Sequence, residues 1–210
     1  MSKNIVILIS GRGSNMQAIV QANIPGIHIA AIISNDPDAL GLRWAKEQGI
    51  HTIALNHQDF PTRAEFDLAL QHSIDQFSPE LVVLAGFMRI LSESFTQHFA
   101  HKLINIHPSL LPSFTGLHTH QRAIDMGCKI AGCTVHFVTA QLDYGPIITQ
   151  AVVPILPEDT EECLANRVLK MEHQIYPQAI ADFIGGHLTI KGMQVHNSRT
   201  HLQENGAIYS

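Results

Sequence analysis

Between Asn4 and His107 the chain alternates short apolar runs with longer amphipathic stretches, and this alternation is the tightest constraint on what it can fold into. Such a pattern is the signature of βαβ units, in which each strand is followed by a helix that packs back on the sheet. A parallel sheet follows, and right-handed crossovers make it doubly wound. The strand candidates are Asn4 to Ser10, His28 to Asn35, Thr52 to Asn56, Leu81 to Gly86 and Leu103 to His107, with helical stretches between most of them. Pro61 is placed to open a helix to about Phe77, because proline suits a first helical turn and Phe66, Leu70 and Ile74 then recur at helical spacing. Pro79 closes it.

After His107 the pattern breaks into an irregular stretch, Pro108 to Gly116, of the kind that often carries function. Two further strands, Ala131 to Thr139 and Ile147 to Ile155, flank a turn at Asp143, Tyr144, Gly145 and Pro146 and predict an antiparallel addition, so the sheet is mixed. A long helix is expected from Thr160 through Phe183, stopped by Gly185 and Gly186, and then one edge strand, Leu188 to Val195. At 210 residues and 45% hydrophobic composition the chain can bury one sizeable core. The expected organisation is a single α/β domain, residues 1–196, followed by a loose polar tail over 197–210.

Two places carry candidate chemistry. Directly after the first strand comes Ser10-Gly11-Arg12-Gly13-Ser14-Asn15, then a helix with Met16, Ile19 and Val20. Glycines let backbone approach an anion closely, and a helix N-terminus offers unpaired N–H groups. The spacing is not that of a dinucleotide fingerprint, and no lysine stands where a nucleoside-triphosphate loop requires one, so a monophosphate fits better. The alternative is a tight turn with Ser14 or Asn15 as the helix cap. The second place is Asn105 and His107, two apart on a strand and therefore on one face, at the carboxyl edge where open α/β sheets bind ligands. Asn can donate to a developing oxyanion, and His can donate or exchange a proton near neutrality. With no Gly-x-Ser-x-Gly nucleophile elbow, direct acyl transfer is simpler than a covalent acyl-enzyme.

The run Asn105-Ile106-His107-Pro108-Ser109-Leu110-Leu111-Pro112 resembles the signature of the formyltetrahydrofolate-utilising formyltransferases. The likeness extends through Leu84 to Leu91, Gly116-Leu117-His118-Thr119-His120 and Val135-His136-Phe137-Val138 ahead of Asp143, from the first strand to about Pro177. It is nearest to the branch whose acceptor is 5-phosphoribosylglycinamide, in purine synthesis. What the resemblance implies is a Rossmann-like formyltransferase fold that passes a formyl group from the co-substrate 10-formyltetrahydrofolate to the acceptor amine, without a metal. It implies a phosphate-binding N-terminal half and a folate-binding and catalytic C-terminal half. Residue by residue it implies Asn105, His107 and Asp143 as catalytic and Gly13, Ser14, Asn15 and Glu172 as substrate-binding. Arg63, Met88, Arg89, Ile90, Leu91 and Asn105 are the folate-binding positions. The Asp143 carboxylate would favour a protonated His107 imidazole and let it act as an acid. Tyr144, where the family usually has a small residue, and Arg12, at a variable position, are departures that remove no catalytic group.

Partner classes follow partly from charge. A net charge of −5 with histidines neutral argues against a phosphate-backbone binder, and so against a tRNA substrate. The expected partners are small-molecule substrates, with no nucleic acid and no membrane, and a monomer or homodimer. Three cysteines without metal or redox spacing, and no export signal, lead to a cytoplasmic expectation. Two other readings keep the same residues: a formyltetrahydrofolate hydrolase, and a catalytically silent phosphosugar-binding module.

Overall fold

A computed structural model describes residues 2–199, which form two compact units. One holds the chain up to Asn105 together with Phe137–Gln141; the other holds Ile106–His136 and the chain from Leu142 onward.

The first unit is built on β1 (Lys3–Ile9), β2 (Ile27–Ser34), β3 (Thr52–Ala54), β4 (Leu81–Leu84) and the start of β5 (Leu103–His107). Their order is β3-β2-β1-β4-β5, with every pairing parallel. All five predicted strands form, and each boundary lies within two residues of its expected place. The central strand carries only apolar residues from Ile5 to Ile9, and all five are wholly buried, because neighbours flank it on both edges and helices cover it. The chain winds outward from β1 to β2 and β3, then returns to β4 on the other side. That reversal opens a crevice at the carboxyl end of β1. The connecting helices are α1 (Ser14–Gln21), α2 (Leu40–Glu47), α3 (Arg63–Asp75) and α4 (Glu93–His98).

Helix α3 shows how its sequence sets its place. Phe66, Leu70 and Ile74 recur every fourth residue and are all buried, packed in one cluster with Val6, Leu8 and Val82. Its start differs from expectation. Thr62, not Pro61, is the boundary: the Thr62 hydroxyl accepts from Glu65 N at 3.3 Å and the Glu65 carboxylate accepts from Thr62 N at 3.2 Å. This reciprocal cap satisfies two orphan donors, which a proline ahead of it cannot do.

The second unit contains α5 (Thr119–Asp125), β6 (Ile130–Phe137), β7 (Ile147–Pro154), the 24-residue α6 (Glu161–Ile184), β8 (Leu188–Lys191) and β9 (Gln194–Asn197), with strand order β6-β7-β9-β8. β6 and β7 are antiparallel, as their shared turn predicts, and pair Cys133 with Ala151. Gly132 makes this pairing possible: a Cβ there would lie 1.9 Å from the Ala151 carbonyl oxygen. Thr160 caps α6 by accepting from Cys163 N at 3.2 Å, and Glu161 and Glu162 place negative charge on the positive end of the helix.

One expectation is corrected here. The single edge strand from Leu188 to Val195 is a hairpin, β8 and β9, turning at Gly192, whose φ of 61° supplies the left-handed conformation that a tight two-residue turn needs. Of the tail expected from Asn197, Asn197 itself still belongs to β9 and donates to Asp182 at 2.8 Å; residues 200–210 lie outside the described residues. The architecture is a mixed, mostly parallel α/β sheet of Rossmann-like kind. Among the described residues no helix is long and apolar enough to cross a membrane.

Candidate active site

In the first unit, the loop after β1 turns into α1 at Gly13, which takes φ 72° and ψ 35°. Gly13 itself is the cap, so neither Ser14 nor Asn15 fills that role, and no side-chain oxygen covers the first turn. The glycine is required by its backbone, because its φ is strained for any L side chain. Gly41 completes the turn. Its N–H donates to the Gly11 carbonyl at 3.0 Å, and a Cβ on it would stand 2.5 Å from Ile9 Cδ1. The sequence signal for it was a glycine at the start of a helix, where that residue weakens propensity unless close backbone approach demands it.

Met88 to Leu91 follow β4 in the same unit, and the segment hangs from two side chains. The Ser10 hydroxyl accepts from Met88 N at 2.7 Å while donating to Asn35 Oδ1 at 2.5 Å, and the buried Asp67 carboxylate accepts from Ser92 N at 2.6 Å. Between these anchors Met88 and Ile90 turn apolar side chains to solvent, 72% and 58% exposed, while Leu91 is buried. The Arg89 guanidinium lies 5.8 Å from the centre of the Phe66 ring, and its buried Nε has no hydrogen-bond partner. Arg63 is the exposed first residue of α3. Neither Ser10 nor Asp67 was evident as an anchor from sequence, because each acts on backbone distant along the chain.

In the second unit, His107 is buried at the end of β5, two residues beyond the half-buried Asn105. Its Nε2 lies 2.9 Å from the Phe114 carbonyl, and its Nδ1 lies 3.5 Å from Asp143 Oδ1. A carbonyl only accepts, so the ring donates to it from Nε2, and Nδ1 faces the Asp143 carboxylate. The other Asp143 oxygen accepts from Gly116 N at 2.7 Å. Asp143, Phe114, Gly116 and His118 all have left-handed backbone, at φ 48°, 54°, 77° and 56°. The Pro108 to His118 loop therefore folds tightly enough to place one carbonyl and one N–H on either side of the His107–Asp143 pair.

One further group in this unit, His120, was not singled out from sequence, whereas Glu172 was expected to bind substrate. His120, on α5, has a buried Nε2 without a partner; burial lowers its pKa most, the Glu161 carboxylate opposes that shift, and the His107 charge adds to it. His120 lines a cavity of about 290 Å³ together with Ser109, Phe114, Thr119 and Cys128. Glu172 is buried on α6. It contributes, after burial itself, to pushing the Cys133 thiol up to about 12 and the Tyr176 hydroxyl upward as well. Among the described residues no three His, Cys, Asp or Glu side chains gather as a metal site.

Known proteins resemble the chain over nearly its whole length. Residues 3–180 match the formyl transferase family model, and the chain belongs to that family of enzymes. More narrowly, it is 50% identical over 189 residues to the phosphoribosylglycinamide formyltransferase of Escherichia coli, covering 88% of this chain and 89% of that protein. It also matches part of the human trifunctional purine biosynthetic protein adenosine-3, at 44% identity over 84% of this chain but only 18% of that longer protein. Among solved structures, the phosphoribosylglycinamide formyltransferase of Coxiella burnetii superposes with a TM-score of 0.89 at 46% identity, covering 94% of both chains.

Proposed function

We propose that this chain transfers a formyl group from 10-formyltetrahydrofolate to the amine of 5-phosphoribosylglycinamide, a step of purine synthesis. The observation that carries the reading is the His107–Asp143 pair on the Asn105 strand, in a chain half identical to an enzyme of that name. Gly13, Ser14 and Asn15 take the acceptor's phosphate at the uncapped start of α1. Arg63 and Met88 to Leu91 take the folate, whose flat ring suits the solvent-facing Met88 and Ile90 side chains, and Asn105 reaches the formyl end. Glu172 approaches the acceptor's amine. The enzyme works in the cytoplasm, as a monomer or homodimer.

The acceptor amine attacks the formyl carbon, and charge develops on the formyl oxygen. Asn105 donates to that oxyanion. The His107 Nε2 proton, held at rest by the neutral Phe114 carbonyl, finds a stronger acceptor in the anionic oxygen. An interaction that strengthens only as charge develops lowers the barrier without over-stabilising bound substrate. Asp143 stabilises the protonated ring, which gives a proton to the departing folate nitrogen and regains one from the attacking amine nitrogen, so that the intermediate collapses to formylated amine and tetrahydrofolate.

Incubating the protein with 10-formyltetrahydrofolate, with and without phosphoribosylglycinamide, tests the reading. Loss of the formyl donor only in the presence of acceptor is the expected result. Loss without acceptor would instead make the protein a hydrolase, and no loss in either arm would leave only a binding module.

A further inference from the structure

Strand β6 carries a wholly buried hydroxyl, Thr134, whose bonding capacity is completely used. Its oxygen donates to the Ser109 carbonyl at 2.7 Å and accepts from Leu111 N at 3.1 Å and from Gln150 Nε2 at 2.9 Å. One donor and two acceptor positions are all that a hydroxyl has, so no freedom of orientation is left. Gln150 uses the same amide nitrogen to reach the Leu111 carbonyl at 2.9 Å. The backbone immediately after the Asn105–His107 strand end is thus pinned to β6 and β7 at two residues.

The pinning continues along the chain. Ser109 Oγ donates to the Ser113 carbonyl at 2.6 Å, and Ser113 N donates to the Leu110 carbonyl at 3.0 Å. The next residue is Phe114, whose carbonyl holds His107 Nε2, and two further on is Gly116, whose N–H holds Asp143. The partners of both members of the pair therefore belong to one loop whose start is held by the Thr134 hydroxyl at Ser109 and Leu111, with Gln150 reinforcing it at Leu111 and Thr119 donating to the Pro108 carbonyl at 2.7 Å. We propose that Thr134 is a positioning residue for the formyl-transfer reaction: through the Ser109 to Phe114 backbone it sets the orientation and proton placement of the His107 ring. This rests on the reading of His107 as the catalytic group, but the positioning itself is observable without turnover.

Thr134→Val keeps the shape and removes the hydroxyl, while Thr134→Ser keeps the hydroxyl. The Val variant is expected to shift the His107 ring-nitrogen NMR resonances, lower kcat by about tenfold or more and leave the KM for both substrates near parental, since a catalytic group displaced by a fraction of an ångström loses rate before binding. The Ser variant should restore the parental resonances and stay within about twofold of parental kcat. If Thr134→Val does not fold, Ser109→Ala cuts the same chain one bond further along and should give the same shift with a smaller loss. Unchanged His107 resonances in the folded variant overturn the proposal. His107→Ala retaining turnover while Thr134→Val still moves those resonances would instead overturn the catalytic reading and leave the positioning intact.

Discussion

His107 has an acceptor at each ring nitrogen, and that decides what substitutions around it do. His107→Ala removes the donor to the developing oxyanion and should lower kcat on the order of a hundredfold or more. Near-parental turnover would end the mechanism proposed above. Asp143→Asn is subtler. The amide oxygen can still accept from Gly116 N, so the loop stays in place, but the amide N–H₂ would now donate to a bare Nδ1 and hold the ring neutral. We expect kcat to fall by at least about tenfold with KM little changed, and the pH profile to lose the limb that the protonated ring supplies. A turnover and pH profile matching the parent would remove Asp143 from the chemistry. Strand period and position at a sheet edge already drew attention to Asn105 and His107 in the sequence. Asp143 is different: 36 residues away in a turn, it stood out only by family resemblance, because nothing in a turn aspartate says which histidine it will meet.

The parts that decide element placement are often a missing side chain or a cap. Gly132 has no Cβ because the Ala151 carbonyl occupies that space, in a register that runs unbroken from Ile130 to Val135 before shifting at His136. Gly132→Ala forces backbone rather than a flexible side chain to move, and should cost at least about 3 kcal/mol in urea unfolding. A loss below about 1 kcal/mol would mean the ladder shifts easily. Apolar periodicity made the first five strands and α3 legible, since burial on two faces or one stripe leaves a direct imprint on residue choice. The hairpin of β8 and β9 was not, because Leu188 to Val195 reads as one continuous extended run and the only break is Gly192. The stretch from Pro108 to Gly116 was legible as irregular but not in its path. That path depends on left-handed backbone at Phe114, a residue type that gives no sign of it, and at His118 just beyond.

For the whole molecule, two half-buried histidines contribute to the response to acid. His120 and His173 both have pKa values lowered from 6.5, with burial the largest cause in each, and each has a buried Nε2 without a partner. The unfolded chain therefore takes up these protons first. Stability is full above about 6.5 and declines as pH falls through that value toward the lower folded-state values. A second loss comes far lower: Arg167 hydrogen bonds at 2.6 and 2.8 Å hold Asp159 below 3.8, so its contribution persists above that value and disappears as pH drops beneath it. Urea midpoints should fall between about pH 7.5 and about pH 5.5, and His173→Leu should flatten part of that decline. A midpoint constant across that window would contradict the account. The three cysteines extend the same physics to handling the protein. Cys163 is exposed in the first turn of α6, Cys128 is half-buried, and Cys133 is buried with its thiol pushed up to about 12. Only thiolate attacks a maleimide, so Cys133 is inert near neutrality and Cys163 takes the label first. With the single substitution Cys128→Ser, the protein carries one addressable dye position, at the head of the helix that holds Glu172.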